Sequence, residues 1–185
     1  MRRGFKAEAE RRALEVRREM GKPPHEGLDA VELAEHLGAE VRRADELTTR
    51  EKLEELEALQ PGAFSACTFK VRGQHVIVYS PLCSPGRTQS DIAHEVAHLL
   101  LGHELKTVQS VGGLRFFTCD SQEEQEANWL AGCLLLPRPL LLAAVKRGAS
   151  ASDIAAEFNV SEQMASFRLR TTGVQRQLAA TQRHR

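Results

Sequence analysis

Polar and apolar residues follow a helical period along most of the chain, and the period changes between residues 64 and 79. Phe5 to Met20 carries charges of both signs and predicts a helix that is solvated or forms a mobile arm. The apolar stripe within residues 30–37 predicts a second, short helix. Phe64–Val71 and His75–Tyr79 are instead rich in β-branched and aromatic residues, and Arg72-Gly73 separates them. These two segments predict a β-hairpin.

The most apolar helical segment, SDIAHEVAHLLLGH, holds two histidines and a glutamate at residues 90–103. A helix that is apolar all round is normally buried, and polar groups buried there must be paired or must bind something. After a loop at Gly112-Gly113, a further helix is predicted from Ser121 to Pro137, and the chain beyond Pro139 reads as helical. The pattern therefore predicts an α+β fold, mostly helical with a small antiparallel sheet and with the 90–103 helix at its centre.

Composition narrows the function classes. The 185 residues suffice for one domain with an appendage, and zero net charge argues against general nucleic-acid or membrane-surface binding. No apolar stretch approaches the ~20 residues of a membrane span, and the polar start lacks the apolar core of a signal peptide. Four cysteines without a CxxC pair favour reduced thiols. We therefore expect a cytoplasmic protein.

His94-Glu95-x-x-His98 is the motif that carries chemistry. Residues four apart lie about 40° apart around a helix, so both imidazoles can reach one ion. This is the two-histidine zinc pattern, with a glutamate placed as general base. Zinc would lower the pKa of its bound water toward ~7, and Glu95 would take that proton during attack on a carbonyl. Manganese or iron at the same ligands stays an alternative.

A catalytic zinc needs a third protein ligand, for which Glu123, Glu124 and Glu126 compete. Glu124 shares a helix face with small residues that would let two helices approach closely. Ser121 could use Glu124 in a capping box, but Asp120 with Glu123 offers an equivalent cap. Glu124 is therefore favoured, with Glu126 next.

Two further polar residues, Asn128 and His103, lie near these glutamates and histidines in the sequence. Asn128 lies one turn after Glu124 and could hydrogen-bond a ligating histidine. His103 would point about 140° from His98 if the helix continued. We interpret His103 as a helix-terminal histidine that interacts favourably with the macrodipole, and not as a ligand.

The hairpin ending VIVYS, the segment SPGRTQSDIAHEVAHLLLGH and the segment EEQEANWLAGCLLLP together resemble the ImmA/IrrE family of gluzincin-type metallopeptidases. The resemblance covers residues 28–173 and implies a zincin-like fold. It also implies that His94, His98 and Glu124 bind zinc and that Glu95 is catalytic. Arg87 occupies a position where the family commonly carries arginine, and we favour a structural role for it. For Tyr79, strand-end packing is favoured over an oxyanion-stabilising role.

The segment ASASDIAAEFNVSEQMASFRLRTTG has the rhythm of a helix-turn-helix. DNA binding would rely on Gln163, Arg168 and Arg170, a thin set, so packing or substrate reception is favoured and direct nucleic-acid binding is not expected. We expect four parts: a charged N-terminal helix or arm (1–27), a zinc metallopeptidase core (28–147), a C-terminal helical part (148–176) and a basic tail (177–185).

Family members often activate genes, for example in stress responses, by cutting a helix-turn-helix repressor. The resemblance therefore implies an intracellular zinc endopeptidase whose partner is a repressor or an antitoxin-like regulator. The alternative is a non-catalytic transcriptional regulator or repressor-binding protein with a structural or vestigial metal site.

Overall fold

The computed structural model describes residues 1–103, 108–111, 114–117 and 120–183. The expected α+β class, mostly helical with a small sheet, is confirmed. In chain order the elements are α1 (Phe5–Glu19), α2 (Ala30–His36), β1 (Glu40–Arg43), α3 (Arg50–Leu59), β2 (Ala66–Val71), β3 (Gln74–Tyr79), α4 (Pro85–Leu101), β4 (Val108–Val111), β5 (Leu114–Phe117), α5 (Ser121–Leu135), α6 (Arg138–Lys146), α7 (Ala151–Glu157), α8 (Glu162–Thr172) and α9 (Val174–Arg183).

The three-stranded sheet has the order β1-β3-β2 and is mixed. β2 and β3 form the predicted hairpin, and its turn residues Arg72 and Gly73 both have positive φ, 51° and 89°, as a tight two-residue hairpin turn requires. β1 pairs with β3 in parallel, with Glu40 opposite Val76. The expectation of an antiparallel sheet is therefore wrong for β1. Its four residues EVRR show no strand-like run, and its partner lies far along the chain.

A second hairpin, formed by β4 and β5, follows α4 and pairs Val108 with Phe117. The sequence pattern did not indicate these strands. The loop predicted at Gly112-Gly113 lies outside the described residues.

α1 is a core helix, and the expectation of a solvated helix or mobile arm is wrong. Phe5, Ala9, Ala13 and Val16 are all buried in the main hydrophobic core. They recur at intervals of three and four, so they form one apolar face beneath the charged one. The apolar face is inconspicuous in the sequence because two of its members are alanines. The division of the chain at residue 27 stays a prediction.

α4 and α5 pack closely at the centre of the molecule. Ala93 and Ala97 of α4, like Ala127 and Ala131 of α5, are fully buried, and such small side chains allow two helix axes to approach. Asp120 caps α5 by accepting hydrogen bonds from the backbone N–H groups of residues 122 and 123. The alternative cap by Ser121 is therefore wrong, and Glu124 is not needed for capping.

α7 and α8 form the expected helix pair, but it is built into the fold. Arg168 of α8 is completely buried. Its guanidinium donates to the Leu136 carbonyl oxygen at 3.0 Å and pairs with Glu10 of α1 at 2.6 Å. In this arrangement Arg168 cannot reach a DNA groove. α9 begins at Val174 and packs on α6, so it crosses the boundary expected between the helical part and the basic tail.

Among the described residues, no single helix is long and apolar enough to cross a membrane. α5 and α6 meet that length and composition test only as a pair, bent by 57° at the break between them.

Candidate metal centre

α4 carries three of the predicted site residues in the register that the sequence suggested. The helix begins at Pro85, whose fixed φ suits a first helical position. It ends at Leu101, and Gly102 after it adopts the left-handed conformation with φ 67°. Between these ends His94, Glu95 and His98 turn toward α5 and the sheet, and Glu95 and His98 are buried.

His94, His98 and Glu124 bring three ligand-type atoms together, all within 4.8 Å of one another. The Nε2 atoms of His94 and His98 are 3.0 Å apart. Oε2 of Glu124 lies 3.2 Å from Nε2 of His94, and Oε1 lies 3.6 Å from Nε2 of His98. Two imidazole nitrogens and one carboxylate on a cleft wall are a donor set that fits a catalytic zinc ion.

The structure places Glu124 and Glu126 in different environments. Glu124 reaches the two histidines, whereas Glu126 lies on another face of α5 and is 3% exposed. The Glu126 carboxylate accepts hydrogen bonds from the backbone N–H and the guanidinium of Arg2, at 2.9 and 3.1 Å. Glu126 therefore anchors the start of the chain and is not a member of the cluster.

Glu95 lies beside the cluster, and a residue of the three-stranded sheet forms a hydrogen bond with its carboxylate. Oε2 of Glu95 accepts a hydrogen bond from the Thr68 hydroxyl at 2.7 Å. Thr68 is a buried residue in β2, on the face that packs against α4. Thr68 is not among the residues that the sequence pattern indicated. Alternation along β2 groups Thr68 with Lys70 and away from the apolar Phe69 and Val71, so the sequence pattern carries no signal for an inward Thr68.

His103 lies much closer to His98 than a continued helix would place it. α4 ends before it, and at Gly102 the chain turns back, so the His103 N–H donates to the His98 carbonyl oxygen at 3.1 Å. Nδ1 of His103 then lies 3.0 Å from Nδ1 of His98. The predicted opposite orientation is wrong because it assumed a continued helix. His103 is not in the cluster of ligand atoms formed by the described residues.

The other residues singled out in the sequence have structural contacts. Asn128 donates its side-chain hydrogen bond to the Glu124 carbonyl oxygen at 2.8 Å, within its own helix. Arg87 pairs with Asp91 one turn on, at 3.4 Å, which fits the favoured structural role. Tyr79 packs against the core and lines a separate cavity of about 280 Å³ with Cys83 and Ile92. That position fits the favoured packing role.

The cluster opens into a cleft of about 680 Å³. One wall comes from α5 and α8, where the Trp129 and Phe167 rings meet edge to face, 5.4 Å apart. α8 is held against α4 by Ser90, whose hydroxyl accepts from the Ser161 N–H at 2.9 Å. Gly86 permits this approach, since a Cβ there would lie 2.5 Å from the Val160 carbonyl oxygen. Other lining residues include Ser65, which precedes β2, Ala66 at the start of β2, Asp91, Met164 and Arg170.

Asp91 adds a perturbed carboxyl to the cleft lining. Burial raises its pKa above the ordinary value, and the neighbouring Arg87 guanidinium opposes that shift. Arg170 is exposed on α8, so the cleft wall presents an arginine as well as carboxylates. The cleft is therefore lined largely by polar and charged side chains, and Trp129, Met164 and Phe167 form most of its apolar part.

Comparison with known proteins gives one family. The chain matches the model of the M78 peptidases, described as the IrrE N-terminal-like domain, over residues 34–170. The match includes the α4 motif, the α5 ligand segment and most of α8. A search of curated proteins gave no match.

Proposed function

The chain belongs to the ImmA/IrrE family of M78 metallopeptidases, and from that premise we propose that it is an intracellular zinc-dependent endopeptidase. The observation that carries the proposal is the convergence of His94, His98 and Glu124 within 4.8 Å, at a cleft that also presents Glu95. Under this proposal the first three residues hold the metal through two Nε2 atoms and a carboxylate.

Zinc, when bound, polarises the peptide carbonyl and lowers the pKa of the water it holds toward about 7. Glu95 takes a proton from the attacking water and later gives it to the departing amine nitrogen. The Thr68 hydroxyl, 2.7 Å from Glu95 Oε2, keeps the carboxylate in one orientation during both transfers. Burial of Glu95 keeps bulk water from competing for this proton.

The substrate we propose is a helix-turn-helix repressor, or an antitoxin-like regulator, whose cleavage derepresses genes. The resemblance to ImmA/IrrE proteins supports this assignment. The cleft is compatible with an extended segment of such a protein, because β2 stands at the edge of the three-stranded sheet and its first residue, Ala66, lines the cleft with the preceding Ser65. An extended peptide can add to such an edge through main-chain hydrogen bonds.

Metal content of purified variants tests the ligand assignment. We expect about one zinc per chain in the wild type. Glu126→Ala is the matched control for Glu124→Ala, since both remove a carboxylate from α5. Zinc should be lost in His98→Ala and Glu124→Ala and kept in Glu126→Ala. Metal-free wild type that cannot be reconstituted, or zinc loss in the Glu126 variant alone, would contradict the assignment.

Cleavage tests the catalytic assignment. The wild type is incubated with zinc and a helix-turn-helix repressor encoded beside it, and the products are identified by mass spectrometry. Glu95→Gln should keep the zinc but lower kcat about 10²–10⁴-fold, as expected when a general base is removed. An intact repressor after incubation with zinc-loaded wild type would count against this substrate, and full activity in Glu95→Gln would refute the role of Glu95.

A further inference from the structure

His103 contacts His98 twice although it lies outside the ligand cluster. Its backbone N–H donates to the His98 carbonyl oxygen at 3.1 Å. Its Nδ1 lies 3.0 Å from Nδ1 of His98, and the two rings meet edge to face with centroids 5.0 Å apart. One residue therefore contacts both the backbone and the ring of His98, and the left-handed Gly102 makes this return possible.

With a metal bound at Nε2 of His98, the direction of the ring-to-ring hydrogen bond follows from the orientation of the His98 ring. Its Nε2 faces Nε2 of His94 and the Glu124 carboxylate, so Nε2 is the nitrogen available to a metal. A neutral imidazole carries one proton, and a nitrogen that binds a cation must offer its lone pair. The proton of His98 is then on Nδ1. Nδ1 of His98 therefore donates, and Nδ1 of His103 must accept.

We propose that His103 is a positioning residue, which fixes the tautomer and the ring orientation of His98 by accepting a hydrogen bond from His98 Nδ1. The inference rests on the metal site of the proposed function. It also assigns the proton of His103 to Nε2, because only an unprotonated Nδ1 can accept.

His94 differs from His98 in the surroundings of its Nδ1 atom. Its Nδ1 is buried and has no hydrogen-bond partner among the described residues. The hydrogen bond to His98 thus has no counterpart on His94 within that part of the chain. We therefore expect the loss of His103 to loosen the metal site through His98.

The first test measures zinc affinity by competition with a chelator. His103→Leu removes the acceptor at similar size, and the zinc dissociation constant should rise about tenfold to hundredfold, as for other partners of metal-bound histidines. His103→Asn restores an acceptor, because the asparagine Oδ1 occupies about the position of His Nδ1. The zinc dissociation constant of this variant should stay within about threefold of the wild-type value, a much smaller change than that expected for His103→Leu. His36→Leu removes an exposed histidine of α2 and serves as the matched control, with unchanged affinity.

The second measurement reads the tautomers directly. Long-range ¹H–¹⁵N correlation spectra of the zinc-loaded wild type should show the His98 proton on Nδ1 and the His103 proton on Nε2. Thermal melts of the zinc-free variants separate positioning from folding, since a positioning role predicts similar melting temperatures for the Leu and Asn variants but different zinc affinities.

The outcomes separate this inference from the function it rests on. If the wild type binds zinc and His103→Leu binds it equally tightly, or if the His103 proton is on Nδ1, the positioning role is overturned and the peptidase proposal stands. Equal weakening in the Leu and Asn variants also overturns it, because the acceptor would then be irrelevant. A wild type that binds no zinc refutes the metal site itself, and the inference falls with it.

Discussion

Single contacts decide which acidic residues serve the site. Glu95 and Thr68 are 27 positions apart in the sequence, yet the hydroxyl of Thr68 lies 2.7 Å from the Glu95 carboxylate. Glu124 and Glu126 are neighbours on one helix, yet one reaches two histidines and the other pairs with Arg2. The side chain's position around the helix axis therefore separates a site residue from a structural one.

Removing the Thr68 hydroxyl should impair catalysis without removing the metal. A hydrogen bond to a charged group contributes about 1.5–3 kcal/mol. If the hydrogen bond from Thr68 stabilises the transition state by that amount, Thr68→Val should lower kcat about tenfold or more. Thr68→Ser keeps the hydroxyl and should keep most of the activity. The measurements are kcat for cleavage of the repressor and the zinc content of each variant. Equal kcat in the Val and Ser variants would show that the contact does not act on Glu95.

At the scale of elements, two buried arginines join α1 and α8 to the C-terminal end of α5. Arg17 of α1 donates to the Leu134 carbonyl oxygen at 2.7 Å and to the Glu26 carbonyl, and burial lowers the pKa of its guanidinium. Arg168 of α8 donates to the Leu136 carbonyl oxygen. The last carbonyls of a helix have no partners within it. These arginines supply donors there, and so link three helices.

The packed face of α1 can be tested with one substitution at two positions. Ala13 is fully buried and Ala7 is exposed on the same helix. Ala13→Asp should lower the free energy of unfolding by about 3 kcal/mol or more, because a carboxylate is buried without a partner. Ala7→Asp should change it by about 0.5 kcal/mol or less, since it lies on the surface in the first turn. Urea unfolding followed by circular dichroism measures both. Equal small effects would restore the mobile-arm interpretation.

At the scale of the whole molecule, the core contains a thiol that resists ionisation. Cys133 of α5 is fully buried, and desolvation raises the pKa of its thiol to about 12, which nearby Arg168 only partly offsets. In the unfolded chain a cysteine thiol has a pKa of about 8.5. The fold therefore prefers the protonated thiol much more strongly than the unfolded chain does.

The sign of the resulting pH dependence follows from linkage. The Cys133 contribution to stability is complete below the unfolded pKa of about 8.5 and is lost as pH rises through the folded value of about 12. The free energy of unfolding should therefore fall across this range. Cys133→Ala and Cys133→Ser differ in packing, but in both variants the free energy of unfolding should decrease less steeply as pH rises. Urea unfolding at a series of pH values measures this dependence. Unchanged slopes in both variants would mean that other groups cause it.

Sequence alone determined the elements and chemistry that depend on local pattern. The hairpin with its Arg72-Gly73 turn follows from strand periodicity and turn chemistry, and the α4 motif follows from helical spacing, because both act over a few residues. The family assignment rests on the same short segments and is confirmed by the match over residues 34–170. The roles of His94, Glu95, His98 and Glu124 stay predictions, although three of these residues cluster as expected.

Tertiary structure alone decided what depends on contacts between distant segments. No local periodicity encodes which distant residues come together in this fold. Examples are the parallel pairing of β1 with β3, the packing of α1 in the core, the hydrogen bond from Thr68 to Glu95 and the contact of His103 with His98. The choice between Glu124 and Glu126 also depended on where α5 lies against α4. Helical spacing fixes the angle between two side chains, but only packing decides which of them faces the histidines.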